Sequence, residues 1–225
     1  MHIEPGLVTG TKLVLGYATG MAVGGVALKL AVETVREQGI ASFLVRTGVA
    51  TALVFTFFEI LPHFPVGVSE VHFILGSTLF LLFGAAPAAL GLALGLLVQG
   101  LCFVPTDLPQ YGMNVTTLLV PLLAIQALAQ RIISRNTAYV DLRYSQTLAL
   151  STAYQSGIVA WVAFWALYGA GFGAANLSNI VTFAASYAIV IVIEPFADLA
   201  VLATAKAVRD LTADALVTTR LHNSG

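Results

Sequence analysis

Thr11–Val32, TKLVLGYATGMAVGGVALKLAV, is the stretch that decides the fold. No charge interrupts it between Lys12 and Lys29. An apolar run of about 20 residues crosses the hydrocarbon core of a bilayer as one helix. The same reading extends along the whole chain. Further spans are expected over Ala41–Leu61, Phe73–Gly84, Ala85–Val104, Gly112–Gln130, Ser145–Gly171 and Ser178–Thr204. The third is short, and is read as tilted or only partly spanning. A polar, loosely amphipathic tail, 205–225, follows. The expected fold class is therefore an all-α integral membrane protein. It is a compact bundle of about seven transmembrane helices forming one domain over residues 1–225.

Composition excludes other classes. Of 225 residues, 58% are hydrophobic and only 9% charged, and the mean hydropathy is +0.91. A soluble domain carries about a quarter charged residues. The net charge of −1 offers no footprint for nucleic acid. Cys102 is the single cysteine and cannot form an internal disulfide. Lying in an apolar run, it is expected to be a small buried hydrophobe. The first residues lack the basic start of a cleavable signal, so Met1 is expected to be the mature first residue.

Basic residues set the expected orientation. Lys29, Arg36 and Arg46 bracket the first loop. Arg131, Arg135 and Arg143 lie between the fifth and sixth spans, and Lys206, Arg209 and Arg220 lie in the tail. With seven spans these nine fall on one side, the cytoplasm, and only Lys12 on the other. The N-terminus is then outside and the C-terminus inside. The outer face collects Met1, His2, Glu4, the loop from His63 to His72 and the loop from Pro105 to Asn114. His222, in the tail, reads as a solvated polar residue.

A histidine at position 2 of a free terminus is a chelator. The α-amine, the residue-2 amide nitrogen and imidazole Nδ1 close adjacent five- and six-membered rings on one metal. Nitrogen donors in a plane suit Ni(II), Cu(II) or Co(II) better than Mg or Ca. The segment 1–10 is thus a candidate metal-chelating segment. In the loop His63–His72 two prolines and Gly67 stiffen and turn the chain. His72 is either a surface histidine of an ordinary connection or a fourth nitrogen for the same metal. Gln99 and Asn114 either join helices or support the metal ligands from behind and fix the imidazole tautomer. Gly16, Gly20 and Gly24 form a small-residue stripe for an internal helix contact or a partner subunit. Glu194 and Asp198 are carboxylates inside a span and functional suspects. Their depth places them toward the cytoplasm, far from the outer histidines. Glu59 lies near the outer end of the second span, either close to the histidines or simply at the interface. No phosphate-binding Gly-Lys-Ser/Thr loop or nucleophile elbow is present.

These residues resemble a known family. Met1-His2-Ile3-Glu4-Pro5-Gly6, Phe64-Pro65 followed by Gly67 and His72, the turn with Gly84 and Pro87, and Gln99 followed by Gly112-Met113-Asn114 carry the likeness. Together they are similar to the substrate-binding membrane subunits of cobalt and nickel energy-coupling-factor transporters, the CbiM/NikM family. The likeness covers residues 1–125 well, and beyond them rests on hydropathy. It implies a small helical bundle with its N-terminus tucked into the core from outside. It also implies a Co(II) or Ni(II) substrate bound by the Met1 amine, the His2 amide and imidazole, and His72. Implied partners are a transmembrane coupling subunit, cytoplasmic ATPase subunits and a small accessory membrane subunit. No organic cofactor and no enzymatic activity of the chain itself are implied. The sequence departs from the family at Glu70-Val71-His72, where a small or hydroxyl residue usually precedes the histidine. It departs again at Pro105-Thr106-Asp107-Leu108, at Thr116-Thr117, and at His63, which offers a spare imidazole. Glu70 and Asp107 put negative charge at the expected mouth, where it attracts a cation.

The expected function is metal capture for import across the cell (inner) membrane. Two alternatives stand beside it. One is a non-transporting accessory subunit of a larger membrane complex, suggested by the departures at Glu70, Asp107 and Thr117. The other is a carrier working through Glu194 and Asp198.

Overall fold

A computed structural model describes residues 2–134 and 137–207. Among the described residues seven α-helices follow one another: α1 (Leu13–Gln38), α2 (Ile40–Phe55), α3 (Gly76–Phe83), α4 (Ala85–Cys102), α5 (Tyr111–Ile132), α6 (Tyr144–Ala170) and α7 (Ala174–Ala207). They match the expected spans within a few residues, except that α1 and α7 run further and α3 starts later. Five of the helical segments are long and apolar enough to cross a membrane. The two outside that count are α3, which is short, and α6. The latter has 27 residues but carries Gln146, Ser151, Gln155 and Ser156.

The third span is only partial. α3 has eight residues, about 12 Å of helix, against a hydrocarbon core of about 30 Å. The chain before it is non-helical. β1 (Phe64–Val66) and β2 (Ser69–Val71) form an antiparallel hairpin pairing Phe64 with Val71 and Val66 with Ser69. Gly67 turns it with φ +62, and a Cβ there would strike the backbone carbonyl of Asn179 in α7. Non-helical backbone is tolerated in a membrane protein where protein surrounds it. Accordingly Val68, Ser69, His72, Ile74 and nearly all of α3 are buried.

The glycine stripe divides. Gly16 and Gly20 pack on Met113 and Gly112 of α5. There the backbones approach so closely that a Cβ on Gly112 would lie 2.7 Å from the Gly16 carbonyl oxygen. Gly24 has nothing beside it and takes no part in that contact. Its share of the predicted packing face is not realised within this chain.

Two other expectations change. Arg46 is not a loop charge. It is 1% exposed in α2, and its guanidinium donates to the carbonyl of Phe83 at the α3–α4 corner and to the Gln38 side chain. Cys102 is exposed, because it falls in the last turn of α4 on the face turned away from the bundle. Of the expected tail only 205–207 are described, where α7 continues through Lys206 to Ala207. Arg135, Arg209, Arg220 and His222 lie outside the described residues. The two ends of the bundle are distinct. Lys12 donates to the last-turn carbonyls of α6 at Tyr168 and Gly169, whereas Lys206 donates to Leu142, just before α6 starts.

Candidate metal centre

The N-terminal segment enters the bundle and pairs with the hairpin. Ile3 bridges Ser69 in antiparallel fashion. The Glu4 N–H donates to the Val68 carbonyl at 3.1 Å, and the Glu70 N–H to the His2 carbonyl at 3.2 Å. The Ser69 hydroxyl adds a second bond to the His2 carbonyl, at 2.8 Å. Ile3 and Val8 are fully buried and anchor the segment by their side chains. Across the site, the Ile3 N–H donates to Asn114 Oδ1 of α5 at 2.9 Å. The terminus is thus held as an added edge strand, with the same satisfaction of backbone groups as in a sheet.

This pairing carries His2 to Glu70 and His72. One ligand atom from each of the three lies within 4.8 Å of the others. Atoms sharing an ion at about 2.0–2.2 Å stand at most about 4.4 Å apart, so a sub-ångström closure brings all three onto one ion. His2 and His72 are buried, with ring centroids 6.0 Å apart. Glu70 is more open, its side chain 26% exposed, and so forms the rim. Met1 lies outside the described residues.

The carboxylates orient the imidazole of His2. Its Nδ1 stands 2.6 Å from Glu70 Oε2, and its Nε2 3.6 Å from Asp107 Oδ2. Asp107 comes from the 3₁₀ turn Pro105–Gln110 between α4 and α5. Burial pushes the Glu70 carboxyl up, but the hydrogen bond and electrostatic attraction of His2 bring it below its ordinary value. Burial drives His72 well below the ordinary imidazole range. It is held as a neutral donor, as a metal ligand must be. The Nδ1 of His72 lies 3.1 Å from the Phe73 carbonyl, a contact that fixes the ring.

Gln99 and Asn114 are each open in sequence to two readings, joining elements or backing the ligands. Neither touches an imidazole in the described contacts. Asn114 clamps the backbone one residue past His2. Gln99 donates to the Phe58 carbonyl at 3.4 Å and to Glu59 at 3.3 Å. It thereby supports the five-residue π-helix Thr56–Ile60 that continues α2. π-Helical turns often accompany functional sites. Here the turn presents Phe58, which sequence reading missed, edge-on to His72 at 4.7 Å and to His2 at 6.2 Å. Among the described contacts Glu59 meets Gln99 and neither imidazole. His63 stays out of the cluster, with Nδ1 3.2 Å from the Leu61 carbonyl. Thr117 bonds back to Met113 within α5. Thr116 accepts from the indoles of Trp161 and Trp165 and so ties α5 to α6.

Glu194 and Asp198 are not remote from the histidine-bearing chain. The Glu194 carboxylate accepts from the N–H groups of Ile74 and Leu75 and from Gln155. Ile74 is only two residues beyond His72. Asp198 accepts from Ser77 and Thr78 in the first turn of α3. Leu75 has φ +53, which turns its N–H toward α7. Depth estimated from the length of α7 could not reveal that the chain after His72 dips inward to meet it.

The model of a protein family described as "Cobalt uptake substrate-specific transmembrane region" (CbiM) matches residues 2–211. The chain belongs to this family. The match reaches well past residue 125, so the second half is part of the same likeness. The chain is a multi-pass membrane component of the substrate-specific kind that the family describes, and the family is one of transport components rather than enzymes. Two solved structures share the fold. A crystal structure described as a transition metal transporter aligns with a TM-score of 0.70 at 18% identity, covering 93% of this chain and 94% of that one. One described as a truncated transition metal transporter aligns with a TM-score of 0.63 at 19% identity, covering 92% and 97%. No curated protein matches.

Proposed function

We propose that this chain captures Co(II) or Ni(II) at the outer membrane face, as the substrate-binding subunit of an energy-coupling-factor importer. The ion is held by the Met1 amine, the His2 amide nitrogen and Nδ1, and His72. One observation carries the reading: pairing of the N-terminal segment with the hairpin buries His2 beside His72, 70 residues away in sequence. Membership of a cobalt-uptake family supports it. Glu70 and Asp107 draw the cation in, and burial then strips its water. The sequence has no nucleotide-binding motif, so import requires a transmembrane coupling subunit and cytoplasmic ATPases. A small accessory membrane subunit completes the assembly. The excess of basic residues places the C-terminal end in the cytoplasm.

Calorimetry with a C-terminally tagged protein tests this. One-to-one binding of Co(II) or Ni(II) is expected, with binding lost in both His2→Ala and His72→Ala. A second reading, an accessory subunit without cargo, draws on the engagement of His2 Nδ1 by Glu70. Absence of metal binding in the wild type, with stable co-purification of partners other than ATPases, would favour it.

A further inference from the structure

We propose that Glu70 is itself a ligand, a fifth, oxygen donor that breaks the planar nitrogen geometry and so lowers the site's preference for Ni(II) relative to Co(II). This rests on the reading of the site as metal-capturing, and it concerns the residue at which this chain departs from the family pattern. The Glu70 carboxylate lies 2.6 Å from the nitrogen of His2 that the N-terminal chelate requires. A metal replacing the proton between them meets that oxygen at once. Glu70 also belongs, with His2 and His72, to the cluster whose ligand atoms fall within 4.8 Å.

Proton and charge accounting agree with this role. The 2.6 Å contact places the imidazole proton on Nδ1, donated to Glu70. On binding, Nδ1 turns to the metal and the proton moves to Nε2, where Asp107 Oδ2 at 3.6 Å faces it. The ammonium and amide protons leave to water. A divalent ion bound to one deprotonated amide retains a single positive charge. Among ligands as buried as His2 and His72 an uncompensated charge is costly. The Glu70 carboxylate brings the complex to neutrality. Geometry then sets preference. Planar nitrogen donors favour Ni(II) and Cu(II), and an axial carboxylate oxygen weakens that advantage by taking the site out of the plane.

The test is Ni K-edge and Co K-edge X-ray absorption on the metal-loaded, C-terminally tagged protein and on Glu70→Gln, with competitive Co(II)/Ni(II) binding. In the wild type five light-atom ligands are expected, without the pre-edge shoulder of square-planar Ni(II). Glu70→Gln should show four ligands, the shoulder for Ni(II), and a shift of at least about tenfold toward Ni(II) in the competition. An Asp107→Asn variant should keep five ligands, which separates ligation from a general loss of negative charge. Square-planar Ni(II) in the wild type, or an unchanged spectrum and preference in Glu70→Gln, would overturn the proposal. If the wild type binds no metal at all, it is the capture reading that fails, and this proposal with it.

Discussion

At the scale of residues, the site divides into donors and the groups that hold them. Asn114 is a holder. Its oxygen satisfies the buried Ile3 N–H, and an orphaned buried donor costs about 1–3 kcal/mol. Asn114→Ala is expected to weaken metal binding about 10–100-fold, the usual effect of removing a supporting partner, while the helical circular dichroism stays intact. Proton competition gives a second expectation. His72 is held well below its ordinary pKa and Glu70 below its own, so neither takes up a proton as pH falls from 8 to 6. The α-amine, with an ordinary pKa of about 7.7–8.0, does take one up, and the amide must lose its own to bind. Affinity should therefore fall with acidification across this window, approaching about two decades per pH unit once the amine is protonated. Calorimetry in buffers of different ionisation enthalpy would count the released protons. A pH-independent affinity would exclude amine and amide ligation.

At the scale of elements, α3 and the chain before it depend on α7. Glu194 satisfies two backbone N–H groups and the Gln155 amide, and Asp198 two hydroxyls of α3. A carboxylate at a helix N-terminus is favoured by both hydrogen bonding and the helix dipole. Glu194→Ala leaves these donors unpaired at about 1–3 kcal/mol each. A markedly lower thermal midpoint and weaker metal binding are expected together, since the His72 segment loses its anchor. Under the carrier alternative Glu194→Gln would abolish transport while metal binding persisted. The α1–α5 crossing gives a sharper pair. Gly112→Ala drives a Cβ to 2.7 Å from the Gly16 carbonyl, and overpacking of this kind costs about 1–3 kcal/mol. Gly24→Ala, facing open space, should leave the melting temperature unchanged. The sequence stripe pointed to a close contact, either inside the bundle or with a partner subunit. It could not tell which of the three glycines makes it, because that depends on the crossing point of α5.

At the scale of the molecule, much was legible because the bilayer imposes length and apolarity on each span. The positions of all seven helices follow from hydropathy. Pairing does not, and this is why the N-terminal edge strand and the π-helix beneath Phe58 escaped notice. His2 and His72 were legible as donor types. Their partners Glu70 and Asp107 read only as charge at a mouth, since imidazole orientation is a three-dimensional property. The orientation drawn from basic residues is checkable with the native cysteine. Cys102 is exposed in the last turn of α4, beside the turn that carries Asp107. It should react with a membrane-impermeant maleimide added outside intact cells, and a Lys206→Cys, Cys102→Ser variant should not. The central claim is that the free terminus itself binds the metal. The most direct measurement is a Ni(II) and Co(II) titration of the native-terminus protein beside one carrying a single extra residue before Met1. Loss of tight one-to-one binding on extension is the result expected, because the α-amine becomes an amide. Equal affinity in the two would contradict the account.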